Sequence, residues 1–279
     1  MIRSCAPRRR ARRSLLLSAG VCAALWGPAG AGGLVSCSAE STAGKRVELE
    51  TSVRAKQLSF TNEYGFAVEI SKMLVSIGPL RYLEGAPVAR RLRPAWLPFS
   101  VKTAHAHPGH YVAGGIVGEM LEPATVDLAT GPALLARGQG VTGTALSALF
   151  SFESPPRGPL AEELAPDVVL VEGISISAEG ARRFRARAAM ADIADAQGEP
   201  FVAGCPFDDG AIDADGHVTL TIDPGIWFDQ VDFSLLSQLA GDAAVELRPG
   251  ETPHKAFVRG LKKAIAYSFS YSAQTESTH

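Results

Sequence analysis

The sequence predicts an all-β domain, an antiparallel β-sandwich or barrel-like fold with one C-terminal capping helix. Three observations predict it. About nine short runs of alternating or β-branched residues recur between Arg46 and Tyr271, Gly- and Pro-rich turns separate them, and only one stretch carries a convincing helical period. Hydrophobic residues make up 46% and charged residues 20%, so a sizeable globular core can be buried. There is no heptad and no internal repeat.

The first strand is Arg46–Arg54, where Val47, Leu49, Thr51 and Val53 alternate with charged or polar residues. Asn62-Glu63-Tyr64-Gly65 is a turn. Phe66–Ile70 starts a second strand, and Met73, Val75 and Ile77 continue it on a parity shifted by one, which predicts a bulge near Ser71-Lys72. Gly78-Pro79 breaks that run. Residues 84–98, with Pro87, Pro94, Pro98 and Arg90, Arg91 and Arg93, read as a solvated loop. Gly114, Gly115 and Gly118 argue against a helix and suit a close approach to a neighbouring strand.

Thr125–Leu128 is a short strand. Thr142–Phe152 is another, with Leu146, Ala148, Phe150 and Phe152 on one side. Pro155, Pro156, Pro159 and Pro166 bound an exposed loop, and Val168–Ser177 is a strong β-run. Ala181–Ala194 reads as a strand in which apolar residues alternate with Arg183, Arg185 and Arg187. Asp208–His217 lacks the closing glutamate of an EF-hand loop, so Ala214-Asp215-Gly216 is expected to be a hairpin turn between Ile212-Asp213 and His217–Ile222. Trp227, Phe228 and Phe233 are expected in the core with Asp229 and Asp232 at its rim. The helix starts near Thr252-Pro253 and sets Phe257, Leu261 and Ile265 opposite Lys255, Arg259, Lys262 and Lys263. Tyr267–Tyr271 alternates as a closing strand.

Charge is distributed unevenly. Residues 1–36 hold six arginines and no acid, leaving 21 of the 27 basic residues against all 29 acidic ones. An acidic remainder argues against nucleic-acid binding and favours attracting cations. The arginines precede the apolar run Leu15–Trp26, which is too short for a stable membrane span. The run closes at Leu34-Val35-Ser36-Cys37, which resembles the bacterial lipobox. The resemblance implies a lipoprotein signal peptide over 1–36, acylation of Cys37, a lipidated tether over 37–45, a single domain over 46–271 and a polar tail over 272–279. It also implies a place in the cell envelope, lipid-anchored in the membrane. Ser38 after the lipidated cysteine favours the outer membrane, facing the periplasm or the cell surface. Arg12-Arg13 partly resembles a twin-arginine signal. With Cys5 and Cys22 in the signal and Cys37 acylated, only Cys205 remains, so the domain has no internal disulfide.

The chemistry concentrates in Thr103–Tyr111, which carries His105, His107 and His110 with no charge between them. Residues two apart on a strand share a face, and Pro108-Gly109 turns His110 back toward the first two. Three imidazoles suit copper or zinc. A further ligand is sought among Glu119, Met120, Asp229, His217 and Cys205, with methionine favouring copper and carboxylate favouring zinc. The competing reading is a structural or adhesive surface module that binds an envelope protein partner and no metal. A third is a mononuclear metal-dependent hydrolase, because the histidines resemble the His-x-His-x-Asp-His motif of metallo-β-lactamase-type enzymes. Gly109 stands where that motif needs its aspartate, and no substrate pocket or general base is placed, so binding rather than catalysis is expected.

A broader resemblance covers residues 46–130 and 217–233. The order Gly65–Lys72, Gly78-Pro79-Leu80, a Pro-rich loop, then Trp227 and Asp229 is similar to bacterial β-sandwich proteins of the MbnP type, which are associated with copper handling. It implies an exported metal-binding sandwich and carries over no ligand.

Overall fold

The computed structural model describes residues 44–86, 114–194, 198, 200–236 and 243–274. Among the described residues, seventeen strands follow in chain order: β1 Arg46–Ala55, β2 Ser59–Thr61, β3 Ala67–Ile77, β4 Leu80–Leu83, β5 Ile116–Met120, β6 Ala124–Asp127, β7 Ala133–Leu134, β8 Gly138–Val141 and β9 Gly143–Thr144. Then come β10 Ser147–Ser151, β11 Val169–Ser177, β12 Gly180–Ala188, β13 Phe201–Asp208, β14 Ala211–Ile212, β15 Gly216–Ile222, β16 Val245–Leu247 and β17 Tyr267–Ala273. The α-helices are short: α1 Ala161–Leu164, α2 Met190–Ile193, α3 Pro224–Phe228 and α4 Thr252–Leu261. Among the described residues, no helix is long and apolar enough to cross a membrane.

Eight strands close into a barrel in the order β15-β17-β13-β10-β4-β5-β8-β1, with β1 pairing back to β15. Closure removes the free sheet edges that an open sandwich would have to protect. The sequence predicts antiparallel pairing, but the closing pair β1–β15 is parallel, as is β13–β17. A second sheet, β16-β12-β11-β3-β2 with β6 also on β3, lies beside the barrel, and an isolated bridge between Ile77 and Phe152 joins the two.

Alternation decides which side chains enter the core. In β1, Val47, Leu49, Thr51 and Val53 are buried while Arg46, Glu48 and Arg54 are exposed. The bulge expected in β3 is present. Register against β11 slips between Glu172 and Gly173, which face Lys72 and Ile70, so Ser71 is the extra residue. That slip keeps Val68, Ile70, Met73, Val75 and Ile77 all facing inward.

The core is rich in aromatic rings. Phe150 stacks on Tyr267 at 4.2 Å and meets Phe152 edge-on at 4.8 Å. Trp227 and Phe228 of α3 join Phe257 of α4, Phe184 of β12 and Phe233. The Asp223 carboxylate caps α3 by accepting the Gly225 N–H at 3.0 Å.

Several expectations need correction. Ala181–Ala194 is a strand only to Ala188; the Asp192 carboxylate then accepts the Ala189 N–H at 3.0 Å and turns the chain into α2. The hairpin between Ile212 and His217 does not form. Both edges of β15 are taken by β1 and β17, and Ile212 pairs with Gly143 instead. α4 ends at Leu261, so Phe257 and Leu261 are buried while Ile265 is 64% exposed. Leu146 precedes β10 and is 45% exposed, whereas Ala148, Phe150 and Phe152 are buried as expected. The loop after Ser154 contains α1, whose Leu164 packs with Leu74 and Leu170 on the outer face of the second sheet.

Candidate functional site

A cleft of about 660 Å³ lies on the outer wall of the barrel. Three strands that are not consecutive in the chain build it: β1, β5 and β8. In register across them stand Glu119 opposite Gln139, and Gln139 opposite Glu48. These side chains point outward because residues next to them in the chain, Val47, Leu49 and Met120, are drawn into the core. Arg46, Asp215 and Ile116 complete the walls.

Glycine lets these strands approach one another. A Cβ on Gly118 would meet Leu49 Cδ1 at 2.8 Å and Tyr82 Cδ2 at 2.9 Å, and one on Gly140 would meet the Val117 carbonyl oxygen at 2.6 Å. The carboxylates are only lightly held. Glu119 Oε2 is 3.8 Å from Arg81 Nε, and Glu48 and Glu50 each lie 3.4 Å from the Arg137 guanidinium. Asp215 is fixed more firmly, accepting the Glu48 N–H at 2.8 Å.

The cleft begins at the base of the connection between β4 and β5. Leu83 and Ile116 are register partners, so the chain leaves the barrel and re-enters at the same place. Two hydrogen bonds clamp that base: the Glu84 N–H donates to Gly115 O at 3.0 Å, and the Gly115 N–H donates to Glu84 Oε2 at 3.2 Å. The Ser147 hydroxyl donates to Gly85 O beside them. His105, His107 and His110 belong to this connection and lie outside the described residues, as does Cys37.

The five further candidate ligands are spread across the molecule. Glu119 faces the cleft. Met120, the next residue, is fully buried on the opposite face of the same strand. Cys205 is fully buried as well; its thiol donates to Val202 O at 3.2 Å, and burial pushes its pKa up to about 12. His217 stands on the outer wall of β15, its Nε2 2.6 Å from Ser52 Oγ. Asp229 ends α3 and lies 3.7 Å from Lys263 Nζ. Among the described residues, no three His, Cys, Asp or Glu side chains gather as a metal-binding group. Sequence reasoning singled out Glu119 but missed Arg46, Glu48, Gln139 and Asp215. Nothing local marks those four, because the cleft exists only once β1, β5 and β8 are side by side.

The architecture defines a class, the all-β proteins built on a closed eight-stranded barrel with an added sheet. No family model and no curated protein matches the chain. Among solved structures, MbnP from Methylosinus trichosporium is a distant structural neighbour, 10% identical with a TM-score of 0.39, matched over 82% of this chain and 99% of that one. At that identity and TM-score no residue role and no activity is carried across.

Proposed function

We propose that the chain is an exported lipoprotein, anchored through Cys37, that binds copper or zinc through His105, His107 and His110 for metal binding, delivery or sensing. Glu119 is the further ligand in this reading, and a carboxylate beside three imidazoles favours zinc. The observation that carries the reading is the pairing of Leu83 with Ile116. It returns both ends of the histidine-bearing connection to one point on the barrel rim, where Glu119 faces outward with only a 3.8 Å ion pair to Arg81. Of the five further candidates, Glu119 alone lines the cleft at that point. Zinc or copper would polarise a bound water or ligand there; the chain's own residues supply the donors and the acidic surroundings.

Metal analysis of the domain over residues 38–279, purified untagged and without chelator, tests this. One equivalent of copper or zinc is expected, lost in the His105/His107/His110→Ala triple variant and in His107→Ala with the barrel still folded. Glu119→Gln is expected to weaken binding without abolishing it. A chain that carries no metal and shows no thermal shift with either ion would instead be an anchored surface module. Ile116 and Leu146, both exposed at this rim, are then its contact residues.

A further inference from the structure

A second cavity, of about 390 Å³, lies between α2 and α4, and Asp192, Gly250, His254, Lys255, Val258 and Arg259 line it. Its size falls within the range of small-molecule sites. His254 is 3% exposed, an uncommon degree of burial for a histidine. Its Nε2 lies 3.1 Å from Arg187 O. A carbonyl oxygen only accepts, so Nε2 carries the hydrogen, and in the neutral ring Nδ1 is left with its lone pair. Nδ1 has no hydrogen-bond partner among the described residues. Asp192 Oδ2 is 3.9 Å from Nε2, beyond hydrogen-bonding reach, and that carboxylate already caps α2 through the Ala189 N–H.

The helix lining the other wall is arranged at a cost to itself. Lys255 and Arg259 are exposed, stand one helical turn apart, and neither has an acidic partner among the described residues. Like charges at that spacing destabilise a helix by about 0.2–0.5 kcal/mol. No side chain caps the first turn of α4. Both features are relieved by a negative charge placed against this wall. Val258, half-buried between the two cations, supplies an apolar floor.

We propose that this cavity is a binding site for a small organic carboxylate. The carboxylate lies against Lys255 and Arg259, the apolar body rests on Val258, and a hydrogen-bond donor on the ligand meets His254 Nδ1. The site is separate from the barrel-wall cleft and does not depend on metal binding. It is built from α2, α4 and the turn before α4, whereas the cleft is built from β1, β5 and β8.

Calorimetric titration of the detergent-solubilised full chain tests the proposal, using mandelate as the probe. Mandelate carries a carboxylate, a phenyl group and a hydroxyl donor. Phenylacetate lacks the hydroxyl, 1-phenylethanol lacks the carboxylate, and inorganic phosphate lacks the apolar body. Saturable binding of mandelate is expected, weaker for phenylacetate and absent for 1-phenylethanol. Arg259→Ala and Lys255→Ala, at exposed positions where folding is unaffected, are each expected to weaken mandelate about tenfold, the loss of one charge-assisted hydrogen bond. His254→Gln should erase the preference for mandelate over phenylacetate. Equal binding of 1-phenylethanol, or mandelate binding untouched by Lys255→Ala and Arg259→Ala, would overturn the proposal. So would binding of phosphate alone, which would mark a simple anion site, and so would no binding by any probe.

Discussion

Two walls of the same barrel are built by opposite means. The wall of β10, β13 and β17 is filled with rings: Phe150 stacks on Tyr267, and Phe207 stacks on Phe269 with Tyr82 edge-on to both. The wall of β5 and β8 turns glycine inward at Gly118 and Gly140, so Leu49 sits against bare backbone. Each buried ring on the first wall removes a large apolar area from water, and that area stabilises the fold. Glycine on the second wall brings β1, β5 and β8 close and leaves their outer faces carrying Glu48, Glu119 and Gln139 around the cleft. Stability and binding surface are thereby assigned to different arcs of one closed sheet.

The largest effect is expected on the aromatic wall. Phe150→Ala is expected to destabilise the fold by about 3–5 kcal/mol, read from denaturant unfolding, because it removes a fully buried ring and leaves a cavity. A loss below 1 kcal/mol would mean that the rings do not hold the barrel.

Alkaline pH probes the same wall more gradually. Burial raises the Cys205 thiol from 9.0 to about 12 and raises the hydroxyls of Tyr82 and Tyr267. Each of these groups is an acid kept neutral in the folded state. Above about pH 9 the unfolded chain gives up its thiol proton while the native chain keeps it. Stability therefore falls as pH rises between 9 and 12, by about 1.4 kcal/mol per pH unit from this thiol alone. Circular dichroism at fixed denaturant measures the fall. A thiol reagent applied to residues 38–279 at pH 8 should label Cys205 only on unfolding; rapid native labelling would place that thiol outside the barrel.

On the glycine wall the expected effect is smaller. Gly140→Ala pushes a Cβ toward the Val117 carbonyl and should cost about 1–3 kcal/mol, because backbone rather than a flexible side chain must give way. This substitution is also expected to disturb whatever the cleft binds, whereas Phe150→Ala lowers stability without changing affinity in the fraction that stays folded. Glu119→Gln is the mildest. Its ion pair with Arg81 is long and exposed, so stability should change by less than about 0.5 kcal/mol, and any larger change in metal content then reports on ligation alone.

Much of this molecule is legible in its sequence because the deciding interactions are local. The alternation in β1, the slip at Ser71 in β3, the branched run of β11 and the Pro-initiated α4 each follow from side-chain period and backbone sterics within a dozen residues. So does the burial of Trp227, Phe228 and Phe233, since large rings leave water wherever a core is offered. Closure of the barrel is of another kind. It rests on β1 pairing in parallel with β15 across most of the domain, and neither strand carries a mark of the other. The same non-locality explains why no hairpin forms at Ile212, since the edges of β15 are claimed by strands from both ends of the domain. It also hid the cleft, whose Glu48, Glu119 and Gln139 meet only after closure. His254 shows the limit within one helix. The periodic pattern places it near the start of α4, but its burial and the direction of its Nε2 hydrogen depend on the Arg187 carbonyl of β12. Sequence determined the elements and their inward faces, because period and propensity act between neighbours. Tertiary structure alone decided which strands became neighbours, and therefore where polar groups converge.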